Sequence, residues 1–119
     1  MKYLFLLYGL DGPLPEPGTA EHAAMFQRWS DATGPMAEAG VLIDCAPVQP
    51  ASASTTLRIQ DGEIVLTDGP AAEIKEHFGG FTLIDCANLD EALKWAATLP
   101  TAVDGSIEIR PVVGVTPQA

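Results

Sequence analysis

The first residues of the chain alternate in a way that predicts a strand with two apolar faces. Residues 2–8, KYLFLLY, carry an aliphatic or aromatic side chain at every position after the lysine. Because successive side chains of a strand point to opposite faces, neither face of this strand is polar. Such a strand is typical of the centre of a sheet that is covered on both sides.

Two later stretches show apolar residues at the three- and four-residue spacing of an amphipathic helix. The first covers residues 19–39, with Thr19 as its N-cap and Gly40 as its terminator. A Gly-Pro pair at residues 34–35 predicts a kink or a break within it. The second covers residues 88–99, between a capping asparagine and a proline.

Shorter apolar runs predict the remaining strands and a hairpin. An Asp-Gly pair between two β-rich runs is a strong signal for a tight hairpin turn. A short helix is predicted from Pro70 to about His77, ahead of a double glycine. The predicted strands cover residues 41–44, 55–59, 63–67, 81–86 and 106–113.

Without the hairpin and the short helix, the order reads strand, helix, strand, strand, helix, strand. This order predicts an α+β fold, the ferredoxin-like plait, with a four-stranded antiparallel sheet and two helices on one face. The first strand then leaves an apolar face that no helix of the chain can cover. A second copy is the simplest cover, so we expect a homodimer packed sheet to sheet around a cleft.

The net charge of the chain and the length of its opening apolar run limit the kinds of partner and the compartment that we expect. Of 119 residues, six are Lys or Arg and sixteen are Asp or Glu, a formal net charge of −10. Such a surface repels phosphate backbones and anionic lipid, so we expect no direct nucleic acid or membrane partner. The opening apolar run is too short for a signal peptide or a span, which favours a cytoplasmic protein. We expect one domain over residues 1–113 and a tail over residues 114–119.

Motifs for metals and cofactors are absent from the sequence. Cys45 and Cys86 stand outside any Cys-x-x-Cys or Cys/His cluster, so we expect two buried, reduced thiols and no metal site. No dinucleotide-binding, phosphate-binding or nucleophile-elbow motif occurs either, and no cofactor is implied.

The final predicted strand carries the first candidate site. If its isoleucines face the helices, Glu108 and Arg110 project together onto the opposite, dimer-facing side. The two can simply pair with each other. Alternatively, Glu108 holds Arg110 as an anchor for a ligand carboxylate or phosphate, and Arg58 of the hairpin could join it.

The segment after the hairpin carries the second candidate site. Asp68 precedes Gly69 and Pro70, where it could cap the short helix or hold that helix at the rim of the cleft. Glu73 and His77 lie four residues apart and share a helical face. They fit either general acid–base catalysis or an ordinary surface pair.

These elements together resemble the YCII-related family, specifically its DGPF-domain branch. The resemblance covers the chain from its start to about residue 113, and its motifs occur in order. They are Asp68-Gly69-Pro70, Glu73-Ile74-Lys75-Glu76, Gly79-Gly80 and Glu108-Ile109-Arg110-Pro111. Ala71 replaces the phenylalanine for which that branch is named, which changes the expected shape of the pocket.

The resemblance implies a dimeric α+β barrel but no particular reaction. Together with the residues, it favours a small cytoplasmic homodimer that binds a small polar or anionic molecule in a cleft, as a binding protein or as an enzyme. The alternative is a regulatory domain associated with an extracytoplasmic-function sigma factor, because some family members accompany such factors or are fused to them.

Overall fold

A four-stranded sheet, a separate hairpin and three helices make up the fold. The structure is a computed structural model that describes residues 1–9, 14–72 and 76–114. One turn of 3-10 helix, Ala51–Ala53, precedes the hairpin. The other elements, in chain order, are β1 (Lys2–Gly9), α1 (Ala20–Glu38), β2 (Leu42–Pro47), β3 (Thr55–Gln60), β4 (Glu63–Asp68), β5 (His77–Asp85), α2 (Leu89–Ala96), α3 (Thr101–Asp104) and β6 (Ser106–Pro111).

The main sheet has the strand order β2-β5-β1-β6, and every neighbouring pair is antiparallel. With α1 between β1 and β2 and α2 between β5 and β6, this is the strand order of a ferredoxin-like α+β fold. The predicted fold class is therefore confirmed. The β3–β4 hairpin forms a second sheet of its own.

Both long helices cover the same face of the main sheet, and the core lies between them and β1. On that face Phe5 is fully buried and lies across from Ile109 of β6. Burying large apolar side chains here supplies most of the driving force for folding. The buried cluster comprises Tyr3, Phe5, Leu7, Met36, Val41, Ile84, Cys86, Ala92, Ala96 and Leu99.

The other face of the main sheet, called the open face below, is apolar at its centre and only half-buried. Leu4 pairs with Leu83 and Leu6 pairs with Phe81, so the four side chains share this face. All four are intermediate in exposure, and none belongs to the buried cluster. The two apolar faces predicted for the first strand are thus present, one buried and one half-buried.

Local signals in the sequence placed several element ends correctly. Thr19 accepts a hydrogen bond from the His22 backbone N–H at 3.2 Å and caps α1. Gly40 has a φ of +74°, which few other residues tolerate, where the chain leaves α1. Asp61 and Gly62 both have positive φ, as a type I′ hairpin turn requires.

One local prediction was wrong, and one alternative of a second was wrong as well. Strand β5 begins at His77, so this residue does not end a helix, and Ala71, Ala72 and Glu76 are bends. Pairing of His77 with Gly9 of β1 is a long-range interaction that a helical charge pattern does not reveal. Of the kink or break predicted at residues 34–35, the break is absent, because α1 continues through Pro35 into the core residue Met36.

Two glycines should respond in opposite directions to the same substitution. A Cβ on Gly105 would overlap the Tyr8 carbonyl oxygen, whereas a Cβ on Gly34 meets nothing within 4 Å. We expect Gly105→Ala to lower the free energy of unfolding by about 1–3 kcal/mol, because backbone must move. Gly34→Ala should raise it by about 0.5–1 kcal/mol, because alanine favours helix. Urea denaturation of both variants measures this, and equal changes would contradict the packing around Gly105.

Candidate functional site

A row of polar side chains runs along the edge strand β6 on the open face. Alternate residues of this strand, Ser106, Glu108 and Arg110, form what we call the β6 row. Glu108 pairs with Leu6 and Arg110 pairs with Leu4, so the row borders the apolar centre of the open face. The isoleucines between them face the helices, as the alternation predicts.

Glu108 and Arg110 form a direct ion pair. The Arg110 Nε donates to Glu108 Oε2 at 2.5 Å, and 66% and 45% of the two side chains are exposed. Among the described residues, the rest of the guanidinium has no further hydrogen-bond acceptor. The pair predicted as the simpler alternative therefore exists, and it leaves donors of Arg110 facing solvent beside an apolar surface.

The opposite end of the β6 row meets the start of β5. The hydroxyl of Ser106 donates to a carboxylate oxygen of Glu76. Phe78 packs edge-on against Tyr8, with ring centroids 5.8 Å apart. His77, half-buried and paired with Gly9, adjoins this group. Arg110 lies four positions after Ser106 along the strand, or about 13 Å away, so one small ligand does not span both ends.

Asp68 and Arg58 lie in the hairpin rather than in the main sheet. Asp68 is the exposed last residue of β4, and the turn after it is tied back to β3. The Thr56 hydroxyl donates to the Gly69 carbonyl at 2.7 Å, and the Arg58 guanidinium donates to the Ala71 carbonyl at 3.3 Å. The Asp-Gly-Pro turn is thus held by its own hairpin. Its role at a cleft stays a prediction.

Glu73 is outside the residues that the structure describes, and the predicted Glu73–His77 pair is therefore outside them as well. The part of the predicted tail beyond residue 114 is likewise outside them. Neither assignment is tested by the geometry of the neighbouring residues.

A second ion pair borders the open face near the start of β1, at the end away from Ser106. The α-amino group of Met1 lies 2.8 Å from the Asp85 carboxylate, and Asp85 pairs with Lys2. The hydrogen bond from this amino group lowers the pKa of Asp85, and the charge of Lys2 acts in the same direction. The open face therefore has an apolar centre with ion pairs at its border.

Sequence reasoning missed a cavity on the helix side of the sheet. It has a volume of about 360 Å³ and lies between α1 and the ends of β1, β2 and β5. Thr82 contributes to its lining, and the Thr82 hydroxyl is buried without a hydrogen-bond partner in the described part of the chain. Only the relative placement of helix and sheet creates this space, so no spacing along the chain signals it.

The two cysteines differ, which corrects the expectation that both are buried. Cys86 is buried, whereas Cys45 is exposed on the edge strand β2, at the wall of the cavity. Both are free thiols. Partial desolvation raises the pKa of Cys45, and the adjacent Asp44 carboxylate raises it further. Cys45 is therefore a protonated, weakly reactive thiol at neutral pH.

The described residues contain no group of three or more His, Cys, Asp and Glu side chains able to hold a metal ion. Within the same ranges, no helix combines the length and the apolar character that crossing a membrane requires.

Comparisons with known proteins agree with the resemblance in the sequence. The family model for the YCII-related domain matches residues 1–116. An uncharacterised protein of Rhizobium meliloti (strain 1021) is 40% identical over 114 residues, which cover 94% of this chain and 92% of the relative. The likeness thus extends over nearly the full length of both chains.

The exposed Glu108–Arg110 pair should contribute little to stability. Solvent screens an ion pair of this exposure, so we expect Glu108→Gln and Arg110→Met each to change the free energy of unfolding by less than about 1 kcal/mol. Urea denaturation of the two variants measures these changes in the free energy of unfolding. Arg28→Met is a matched control, because Arg28 pairs with Asp104 at 3.1 Å and similar exposure. A loss above about 2 kcal/mol at β6 alone would contradict an exposed pair.

Proposed function

The chain belongs to the YCII-related family, and from this premise we propose that it is a homodimer that binds a small polar or anionic molecule at the open face. The observation that carries the proposal is the half-buried apolar centre of that face, bordered by the β6 row. The proposal includes membership of the DGPF-domain branch, on the Asp68-Gly69-Pro70 turn, and a cytoplasmic location.

The accessible area of a single chain supports the dimer. One chain exposes 8422 Å², whereas a folded monomer of 12.5 kDa typically exposes about 6,200 Å². The difference of roughly 2,200 Å² is larger than the share of about 800 Å² that each partner buries in a standard interface. The radius of gyration of 16.4 Å also exceeds the value of about 13.5 Å expected for a compact domain of this length.

The hairpin accounts for part of this excess and offers a second surface to a partner. Leu57 pairs with Leu66 and Ile59 pairs with Ile64, so one hairpin face is wholly apolar at these four positions. Each of these side chains is more than half exposed. Because an isolated two-stranded hairpin is marginal in water, contact with a second copy would stabilise it.

The β6 row supports a polar or anionic ligand. Arg110 places charged donors at the edge of the apolar centre, and a planar guanidinium matches the geometry of a carboxylate. In a sheet-to-sheet dimer the row of each copy would border the shared interface, where lower exposure would strengthen such contacts. Glu108 would then orient the guanidinium.

A regulatory domain that contacts a sigma factor is the second candidate. The observation favouring it is the same apolar hairpin face, which would suit a different protein as well as a second copy. The oligomeric state of the isolated chain distinguishes the two candidate functions. A chain that is monomeric with its hairpin exposed would favour the second candidate.

The dimer makes a direct prediction about one half-buried leucine. Light scattering coupled to size-exclusion chromatography should give twice the chain mass of 12.5 kDa at micromolar concentration. Leu6→Glu should produce a monomer, because it places a carboxylate in the centre of the interface next to Glu108. Val103→Glu, at a side chain that is 87% exposed on α3, should leave the dimer intact. A wild-type chain that is monomeric throughout would refute the assembly.

Anion binding makes a separate prediction about Arg110. Malonate, a small dicarboxylate, should shift the Arg110 Nε–H resonance saturably in NMR titrations. Arg110→Met should weaken malonate binding by about tenfold or more, because charged hydrogen bonds are lost. Arg28→Met, which removes an arginine from an ion pair on the helix side, should leave malonate binding unchanged. Equal weakening by both variants would indicate a general charge effect and remove the site.

A further inference from the structure

We propose that the cavity between α1 and the sheet is a second binding site, specific for a neutral, mainly apolar small molecule that carries one hydrogen-bonding group. This site lies mainly on the helix side of the strands, whereas the open face lies on the other side, although Phe81 contributes to both. It does not depend on the proposed function.

The size and position of the cavity suit a small organic molecule. Its volume of about 360 Å³ falls within the range of roughly 300–1,000 Å³ that is typical of ligand pockets. Its walls come from α1 on one side and from β1, β2 and β5 on the other. Phe26, which is 51% exposed, also belongs to the lining, so the cavity is open to solvent on one side.

The chemistry of the lining selects a neutral ligand. None of the described lining residues is an Asp, Glu, Lys, Arg or His. A charged ligand would lose its hydration there without gaining a counter-charge, which is unfavourable. The overall charge of −10 adds a further barrier for anions. Aromatic and thioether side chains, Met25 and Trp29 among them, instead offer apolar contacts.

Thr82 supplies the point of polar recognition. Its side chain is fully buried, and its Oγ1 has no partner among the described residues. Buried hydroxyls are nearly always hydrogen-bonded, and Thr82 belongs to the residues that line the cavity. Its Oγ1 exposes almost no surface, so a ligand group would pair with it after a small shift of the neighbouring side chains. A hydroxyl both donates and accepts, so it fits an N–H, a hydroxyl or a carbonyl of the ligand.

A pair of related fluorescent probes tests the site. N-phenyl-1-naphthylamine is neutral, apolar and carries one N–H, while 8-anilinonaphthalene-1-sulfonate has the same rings plus a sulfonate. We expect the neutral probe to bind saturably, with one molecule per chain and energy transfer from Trp29. The sulfonate should bind about tenfold or more weakly, because the lining offers it no cation.

Two neighbouring positions on α1 provide the matched variants. Both side chains are exposed, but Ser30 belongs to the lining and Asp31 does not. Ser30→Phe should abolish saturable binding of the neutral probe by obstructing the open side of the cavity, and Asp31→Phe should leave it unchanged. Val103→Glu, at an exposed side chain of α3 outside the lining, should also leave it unchanged.

Thr82→Val keeps the proposal testable if Ser30→Phe does not fold. Valine has nearly the same shape without the hydroxyl, so stability should be kept or raised. The dissociation constant for the neutral probe should rise about three- to tenfold through loss of one hydrogen bond. The proposal is overturned by absence of saturable binding, by equal loss in the Asp31→Phe control, or by tighter binding of the sulfonate.

Discussion

The structure depends on the position of β1 at the centre of the sheet, hydrogen-bonded to β5 on one side and to β6 on the other. A central strand is hydrogen-bonded along both edges, so it makes its other contacts through the side chains of its two faces. On one face Phe5 and its neighbours are buried beneath the helices, and on the other Leu4 and Leu6 are half-buried. A shift of one residue in pairing would exchange these faces, so the core also fixes what the open face presents.

The register of pairing with β1 determines which side chains of β5 and β6 face each side of the sheet. Because Ile109 pairs with Phe5, Glu108 and Arg110 are directed to the open face. Because Thr82 also pairs with Phe5, it lies on the helix side, where the cavity is. Glu108 and Arg110 are therefore kept on the side of the sheet opposite Thr82 by the two-residue period of its strands.

Features carried by short-range signals could be predicted from the sequence, and features created by long-range packing could not. Alternation in the last strand located Glu108 and Arg110, and a capping residue located the start of α1. The start of β5 was missed because His77 is held by pairing with Gly9, far away in sequence, while its local charge pattern resembles a helix. The Thr82 cavity was missed for a related reason, because a threonine within an apolar strand gives no sign that the helix above leaves a gap.

The net charge of −10 acts differently on the two sides of the sheet. An anion that approaches Arg110 is repelled by the protein as a whole, and Glu108 already neutralises the nearest cation. Contact between exposed charges is also screened by salt over about 10 Å at 0.1 M ionic strength. A neutral molecule in the cavity is subject to neither effect, and its binding depends on apolar contact and on the Thr82 hydroxyl. Salt dependence is thus the physical property that distinguishes a ligand of the open face from a ligand of the cavity.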